Sequence, residues 1–182
     1  MSLRETRIEK ALLYLEPGPL ALVTTSEGGK DNVMTISWTM PLDFDGYFAM
    51  ATGPWNYSFK ALKKTRECAV CIPPASMLET AAKIGSVSGA DCDKFALFGL
   101  NAIASKTISA PCIEGCIACI ESKVVKYMPS AGIFVLKATR LISDSRAPDK
   151  RIIHARGDGT FTADGQTFNF RKIIKDKLPP GL

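Results

Sequence analysis

Short apolar stretches separated by turn residues follow one another along most of this chain. The stretch 20–26 is apolar and β-branched, and a similar stretch at 32–38 follows the flexible residues 27–31. This pair predicts a β-hairpin, because β-branched residues suit strands and glycine permits a tight reversal. The same pattern predicts strands at 47–52, 67–72, about 117–127 and 132–143.

Other segments have the spacing of amphipathic helices instead. Between residues 56 and 65, apolar Phe59 and Leu62 lie on the face opposite three lysines. Further short helices are predicted at 4–15, 76–84 and about 91–98. Short strands divided by tight turns, with a few inserted helices, predict a closed antiparallel barrel rather than a parallel sheet.

Length and composition indicate an ordinary globular protein. The 182 residues allow one sizeable core, so we expect a single domain over residues 1–182. Hydrophobic residues make up 46% of the chain and charged residues 23%. No apolar tract reaches the roughly 18 residues of a membrane helix, and the polar start lacks the pattern of a secretion signal. We therefore expect a cytoplasmic protein without a membrane partner.

The formal net charge of +5 does not point to nucleic acid. Lysine and arginine are scattered among 18 acidic residues, and no long basic stripe follows a phosphate backbone. A modest excess of positive charge suits a small anionic ligand equally well, because a phosphate-bearing cofactor needs only a few cations or amides.

Several common kinds of active site are absent from the sequence. His154 is the only histidine, which argues against a His-based triad or a multi-histidine metal centre. The chain also has neither a Gly-x-x-x-x-Gly-Lys-Ser/Thr loop nor a Gly-x-Gly-x-x-Gly turn. A nucleotide phosphate loop and a Rossmann dinucleotide site are therefore not expected.

The six cysteines favour reduced, buried thiols. Cys68 and Cys71 lie three apart on a predicted strand and so face opposite sides, and Cys116 and Cys119 do the same if a strand begins at Cys116. No histidine accompanies either pair. A cysteine-ligated metal or redox module that uses Cys112, Cys116 and Cys119 stays open as an alternative.

The segment 32–38 combines hydroxyl and apolar groups at strand spacing. Thr35 and Ser37 would lie on one face, and Met34 and Trp38 on the other. A planar hydrogen-bonding ligand needs edge donors and acceptors together with apolar ring contacts, and this segment offers both. An ordinary half-buried strand has the same periodicity.

Two later segments offer groups for an anion. Residues 53–58 lead from a strand into a helix, where free backbone amides can face a phosphate and Asn56 or Ser58 can cap. In the segment 86–95, Lys94 can neutralise a phosphate. The simpler interpretations are a helix cap alone for the first segment and, for the second, a solvated loop that caps a helix through Asp91.

Taken in order, these segments resemble the flavin reductase-like, FMN-binding split-barrel family, especially its flavoredoxin-like branch. The resemblance covers nearly the whole chain. It is carried by 19–25, 32–38, Gly53 and Pro54 with Tyr57 and Ser58, 87–95 and 110–114.

The resemblance implies a mainly β fold, an antiparallel Greek-key split β-barrel with a few peripheral helices. It also implies a homodimer with one non-covalent FMN per subunit near the dimer interface. Ser58 would reach the phosphate from the start of a helix. The flavin-binding residues that the resemblance implies are Asn32, Met34, Thr35, Ser37, Trp38, Ser58 and Lys94.

The function implied is that of an FMN-dependent oxidoreductase that takes electrons from NAD(P)H or a reduced protein, with no catalytic acid or base. The alternative is a flavoredoxin-like electron carrier that serves a protein partner without small-molecule turnover. Two positions depart from the family pattern. Trp55 stands where relatives often have a polar residue, and residues 89–91 read Gly-Ala-Asp without the histidine of flavin-reducing members.

Overall fold

An antiparallel sheet organises residues 3–178, the part of the chain that this computed structural model describes. The strands are β1 Arg4–Thr6, β2 Ala21–Glu27, β3 Lys30–Ile36, β4 Thr39–Pro41, β5 Tyr47–Ala51, β6 Glu67–Ile72, β7 Ala102–Ile103, β8 Cys112–Ile113, β9 Ala118–Met128, β10 Ile133–Ser143, β11 Ile153–Ala155 and β12 Phe161–Ala163. The helices are α1 Leu12–Leu15, α2 Ser58–Thr65, α3 Leu78–Ser86 and α4 Lys94–Leu97, and short 3-10 turns occupy Ile8–Ala11, Ala75–Met77 and Lys175–Lys177.

Eight strands form the main sheet in the order β3-β2-β6-β9-β10-β5-β4, with β1 added to β10. All of these pairings are antiparallel. The sheet curls into a half-barrel, and β7–β8 and β11–β12 pair separately. The predicted mainly β, antiparallel fold is confirmed.

The β2–β3 hairpin sets the register of the region that matters most below. Gly28 and Gly29 have φ angles of 60° and 79°, the pair of positive values that a two-residue type I′ turn requires. The turn places Glu27 opposite Lys30, and therefore Thr25 opposite Asn32. Because directly opposite residues share a face, Thr25 and Asn32 are side-by-side neighbours.

Two buried layers lie on opposite faces of the sheet. Val23 and Met34 belong to the core inside the barrel, whereas Leu22 and Val33 pack on the other side against Ile84 of α3. Successive strand residues point to opposite faces, so a strand covered on both sides is apolar at every position. This double coverage explains the continuous apolar runs of β2 and β6.

The structure corrects several sequence-based boundaries. The helix predicted at 4–15 is wrong at its start, where β1 pairs with the distant strand β10. The second hairpin strand ends at Ile36 rather than 38, so Ser37 and Trp38 lie in the link to β4. The short strands β4, β7 and β8 were not predicted, because two or three residues carry no periodicity.

Arg66 ends α2 in a left-handed conformation, with φ 57° and ψ 32°. It is the one non-glycine residue with positive φ in the described part of the chain. Its Nη2 donates to the carbonyl oxygens of Val124 (2.8 Å) and Val125 (2.9 Å) on β9. These hydrogen bonds tie the carboxyl end of the helix to the sheet.

A buried carboxylate holds the long loop before β8. Glu121 is fully buried and faces Arg140 in the β9–β10 ladder, and it accepts a hydrogen bond from Arg140 Nη1. It also accepts from the Lys106 amide (3.1 Å) and from both the amide (2.8 Å) and the hydroxyl (2.7 Å) of Thr107. Burial alone would raise the pKa of Glu121, but these hydrogen bonds lower it below its ordinary value.

None of the helices within residues 3–178 has the length and apolar character needed to cross a membrane.

Candidate functional site

Three adjoining clefts form a trough along β3 and the start of α2. The basic cleft, of about 380 Å³, is lined by Lys30, Lys60 and Lys64 among others. The central cleft, of about 260 Å³, shares Asn32, Tyr57 and Ser58 with it. The tryptophan cleft, of about 310 Å³, contains Trp38 and shares Thr35, Trp55 and Asn56 with the central cleft.

Three small polar side chains meet where the basic and central clefts join. Asn32 Nδ2 donates to Ser58 Oγ at 2.7 Å, and both side chains are buried. Because Ser58 Oγ accepts this bond, its own hydroxyl proton is free to be donated elsewhere. Thr25, beside Asn32 in the hairpin, has a buried Oγ1 without a hydrogen-bond partner among the described residues. Unused buried donors of this kind are costly unless a ligand satisfies them.

The start of α2 adds backbone donors at the same place. Ser58 is the first residue of the helix, and no side chain caps its amino end. The Phe59 amide donates to the Asn56 carbonyl oxygen (3.0 Å). The first amides of a helix otherwise lack intrahelical partners, and the helix dipole places partial positive charge there. Together with the hydroxyls of Thr25 and Ser58, this end of the helix suits a phosphate monoester.

Lysines surround this point on the solvent side. Lys64 pairs with Glu27 at 2.6 Å, and Lys30 Nζ donates to the Tyr57 hydroxyl at 3.2 Å. Lys60 also lines the basic cleft, and the described residues provide no ion pair for it. Three lysines and one glutamate leave the basic cleft net positive.

Lys94 supplies a buried cation on the other side of the trough. It is the first residue of α4, is only 4% exposed, and lines the central cleft. Its Nζ donates to the Ile84 carbonyl oxygen at 2.9 Å, which leaves further N–H donors for an anion. Burial lowers the pKa of Lys94 from its ordinary value, and a bound anion would favour the charged form.

The Gly89 main chain lies close to the side chains of Asn32 and Tyr57, which line the trough. A Cβ at Gly89 would lie 2.2 Å from Asn32 Oδ1 and 2.7 Å from Tyr57 Cδ1. Since Asn32 is buried and hydrogen-bonded, it has little room to move. Glycine is therefore required at position 89 to keep the Asn32 side chain in its place.

The other end of the trough is aromatic. The side chains of Trp38 and Trp55 are 65% and 71% exposed, and both line the tryptophan cleft. Gly157, in the turn between β11 and β12, closes the far side. The trough thus runs from a donor-rich, positively charged end to a flat apolar end.

All seven residues predicted for the cofactor line this trough. Asn32, Met34, Thr35, Ser58 and Lys94 border the central cleft, and Thr35, Ser37 and Trp38 border the tryptophan cleft. The Thr35 hydroxyl is engaged, since it donates to the Ala81 carbonyl oxygen at 2.6 Å. The contacts of these residues with a cofactor stay a prediction.

Sequence reasoning missed Thr25 and the lysines of the basic cleft. The Gly28–Gly29 turn contained the signal for Thr25, because a two-residue turn fixes which residue faces Asn32. No comparable signal existed for Lys60, whose position depends on how α2 packs on the hairpin.

Five of the six cysteines lie in the core, on two sides of the sheet, whereas Cys92 is half-buried. Cys68 packs inside the barrel, while Cys71, Cys112, Cys116 and Cys119 belong to the layer under α3. Burial raises the pKa of Cys68 to about 12 and that of Cys71 well above its ordinary value. Within residues 3–178, no three side chains among His, Cys, Asp and Glu are arranged to hold a metal ion.

His154 lies outside the trough. Its Nε2 is 2.9 Å from Asp164 Oδ1, and its Nδ1 is 3.3 Å from the Gly18 carbonyl oxygen. These contacts fasten the β11–β12 hairpin to the segment before β2.

The sheet order and the trough define a split-barrel protein. Its fold is similar to the crystal structure of an FMN-binding domain of a flavin reductases-like enzyme from Shewanella baltica, with a TM-score of 0.86, 24% identity, and coverage of 92% of this chain and 97% of that chain. Flavoredoxin of Desulfovibrio vulgaris (Miyazaki F) gives a TM-score of 0.77 at 20% identity, covering 84% and 89%. The predicted split barrel is confirmed.

The sequence identifies the family. The family model of the flavin reductase like domain matches residues 13–161, and the chain belongs to this family. A relative in Archaeoglobus fulgidus, an uncharacterized protein, is 32% identical over 122 residues, covering 66% of this chain and 68% of its own length. The family resemblance of the sequence motifs is confirmed.

Proposed function

We propose that this chain binds FMN in the trough and works as an FMN-dependent oxidoreductase. The observation that carries the proposal is the continuity of a phosphate-suited end, at Thr25, Asn32 and Ser58, with the aromatic end at Trp38 and Trp55. FMN has the same polarity along its length, from phosphate through a hydroxylated chain to a planar ring. The Shewanella protein of similar fold is described as FMN-binding, which supports the proposal.

The donor set of the trough fits the cofactor. The buried, unpartnered Thr25 hydroxyl and the uncapped start of α2 provide donors for phosphate oxygens. Lys94 supplies a charge of opposite sign, and Met34 provides apolar contact. These residues bind and orient the group, and the barrel core behind them excludes water from one side.

When bound, FMN supplies the redox chemistry, because its ring accepts and releases a hydride or single electrons. The chain's part is to hold the ring at a fixed place and to set its electrostatic surroundings. A fixed positive charge such as Lys94 favours any state of the ligand that carries additional negative charge. None of these roles requires a protein acid or base.

The first test is the composition of the purified protein. We expect a yellow protein that releases one equivalent of FMN per chain on heating, identified by chromatography against FMN, FAD and riboflavin standards. Stopped-flow mixing with NADH or NADPH then measures turnover, and bleaching of the flavin absorbance within seconds supports NAD(P)H as donor. A colourless protein that takes up no FMN at micromolar concentration contradicts the proposal.

The second candidate function is that of an electron carrier with a redox protein partner. The similarity of the fold to flavoredoxin favours it. In this case the flavin stays oxidised with both nicotinamides and is reduced by a protein donor. The same stopped-flow experiment separates the two functions.

We further propose that the chain forms a homodimer and is located in the cytoplasm. Trp38, Met40, Leu42 and Phe44 are exposed on or beside β4, which is an edge strand of the main sheet within residues 3–178. Contiguous exposed apolar groups of this kind mark association surfaces. Sedimentation velocity should give twice the chain mass, and Met40→Lys should shift the protein to monomer.

The cysteines support the proposed cytoplasmic location. All six cysteines are free thiols, which suits a reducing compartment.

A further inference from the structure

Trp55 occupies an unusual place for its size. It is 71% exposed, although tryptophan is on average a highly buried residue. It lines both the central cleft and the tryptophan cleft, at the point where they join. An exposed indole in the middle of a trough leaves apolar area without a partner, and such area marks a binding surface.

The local backbone holds the indole in place. A Cβ at Gly53 would lie 2.2 Å from Trp55 Cζ3 and 2.4 Å from Cη2, so the six-membered ring rests directly on the Gly53 main chain. The Asn56 amide donates to the Gly53 carbonyl oxygen (3.0 Å), and Asn56 Nδ2 donates to Thr52 Oγ1 (3.0 Å). The ring thus lies against the Gly53 main chain, and Trp55 still lines both clefts.

Because the turn is braced in this way, the indole is a pre-formed flat surface. Only glycine at position 53 permits this packing, because any larger residue would displace the indole. A pre-formed aromatic surface loses little conformational freedom when a planar ligand stacks on it.

We infer that Trp55 is a stacking surface for the isoalloxazine ring of bound flavin, an inference that rests on the proposed FMN site. The ring is the occupant that the layout favours, because Asn32 and Ser58 line the basic and central clefts, whereas Trp55 lines the central and tryptophan clefts. Trp55 then contacts the ring of the flavin and does not contact its phosphate.

The test compares two flavins that differ only in the phosphate. Trp55→Ala should weaken FMN and riboflavin by the same factor, about 2- to 12-fold, which is the equivalent of the ~0.5–1.5 kcal/mol of an aromatic pair. Trp55→Phe should retain most of the affinity. Phe168→Ala, which removes another exposed aromatic ring outside the clefts, is the matched control and should change nothing.

Fluorescence provides an independent readout. A stacked indole quenches flavin fluorescence, so bound FMN should have a longer lifetime in Trp55→Ala than in the wild type and in Phe168→Ala. If the wild type binds FMN and Trp55→Ala shows unchanged affinity and lifetime, the stacking role is overturned while the FMN site stands. If the wild type binds neither flavin, both the site and the stacking role are overturned.

Discussion

Asn32→Ala should weaken FMN binding by about 100-fold and leave riboflavin binding almost unchanged. Asn32 borders the phosphate-suited end of the trough and also positions the Ser58 hydroxyl through the 2.7 Å hydrogen bond. Its removal should cost the equivalent of one charge-assisted hydrogen bond to the phosphate, about 1.5–3 kcal/mol, and a 100-fold loss lies within this range. Fluorescence titration of apoprotein with both flavins measures the two affinities.

The matched control is Asn101→Ala. Asn101 is exposed and donates to Glu114 Oε2 at 3.0 Å, away from the trough. The Asn101→Ala variant should bind FMN with the affinity of the wild type. Equal losses of FMN and riboflavin affinity in Asn32→Ala would show that the substitution damages the fold or the ring site, and would contradict the assignment of this end to phosphate.

Glu121→Leu should lower the free energy of unfolding by about 3–5 kcal/mol. The side chain of Arg140 is only 13% exposed, and the substitution removes its main partner. Removing one half of a buried ion pair has a cost of this size. It also removes the acceptor that holds the Lys106 and Thr107 amides. Urea unfolding at neutral pH, followed by circular dichroism, measures the change.

The control for Glu121 is an exposed carboxylate with a lysine partner. Glu79→Leu breaks the surface pair with Lys83 and should cost much less than Glu121→Leu, because water screens an exposed ion pair. A loss in Glu121→Leu no larger than in Glu79→Leu would contradict the structural role of the buried carboxylate.

The pH dependence of the folded protein's stability provides a second test of Glu121. Because the pKa of Glu121 is lowered in the folded protein, the unfolded chain takes up its proton first as the pH falls. The stability that Glu121 contributes is therefore present above its unfolded pKa and lost on acidification through the folded pKa. Wild-type protein should lose more stability between neutral and acid pH than Glu121→Leu.

The sequence predicted those elements whose pattern is local. The β2–β3 hairpin and β6 were found because apolar alternation and turn glycines lie within the segment itself. The strand β1 was mistaken for helix, because its three residues become a strand only by pairing with Ser143, Ile142 and Leu141 far along the chain. Pairing at such distance leaves no trace in local periodicity.

The candidate site was predictable to the extent that motifs carried it. Thr35 and Ser37 were placed from strand spacing and the family resemblance, and they do border the trough. The engagement of the Thr35 hydroxyl by α3 could not be predicted, because it depends on how closely Gly85 lets the helix approach. The exposure of Trp38 likewise follows from the early end of β3, which the apolar pattern conceals.

The left-handed conformation of Arg66 sets the direction of α2 relative to the sheet. Eight residues at about 1.5 Å each put some 12 Å between this clasp on β9 and the uncapped amides at Ser58. A helix this short is stiff. A small rotation at Arg66, which binds the two carbonyl groups, therefore turns the Ser58 end of the helix by a similar angle. The position of the Ser58 end of α2 therefore depends on the hydrogen bonds that the Arg66 guanidinium makes to β9 at the opposite end of the helix.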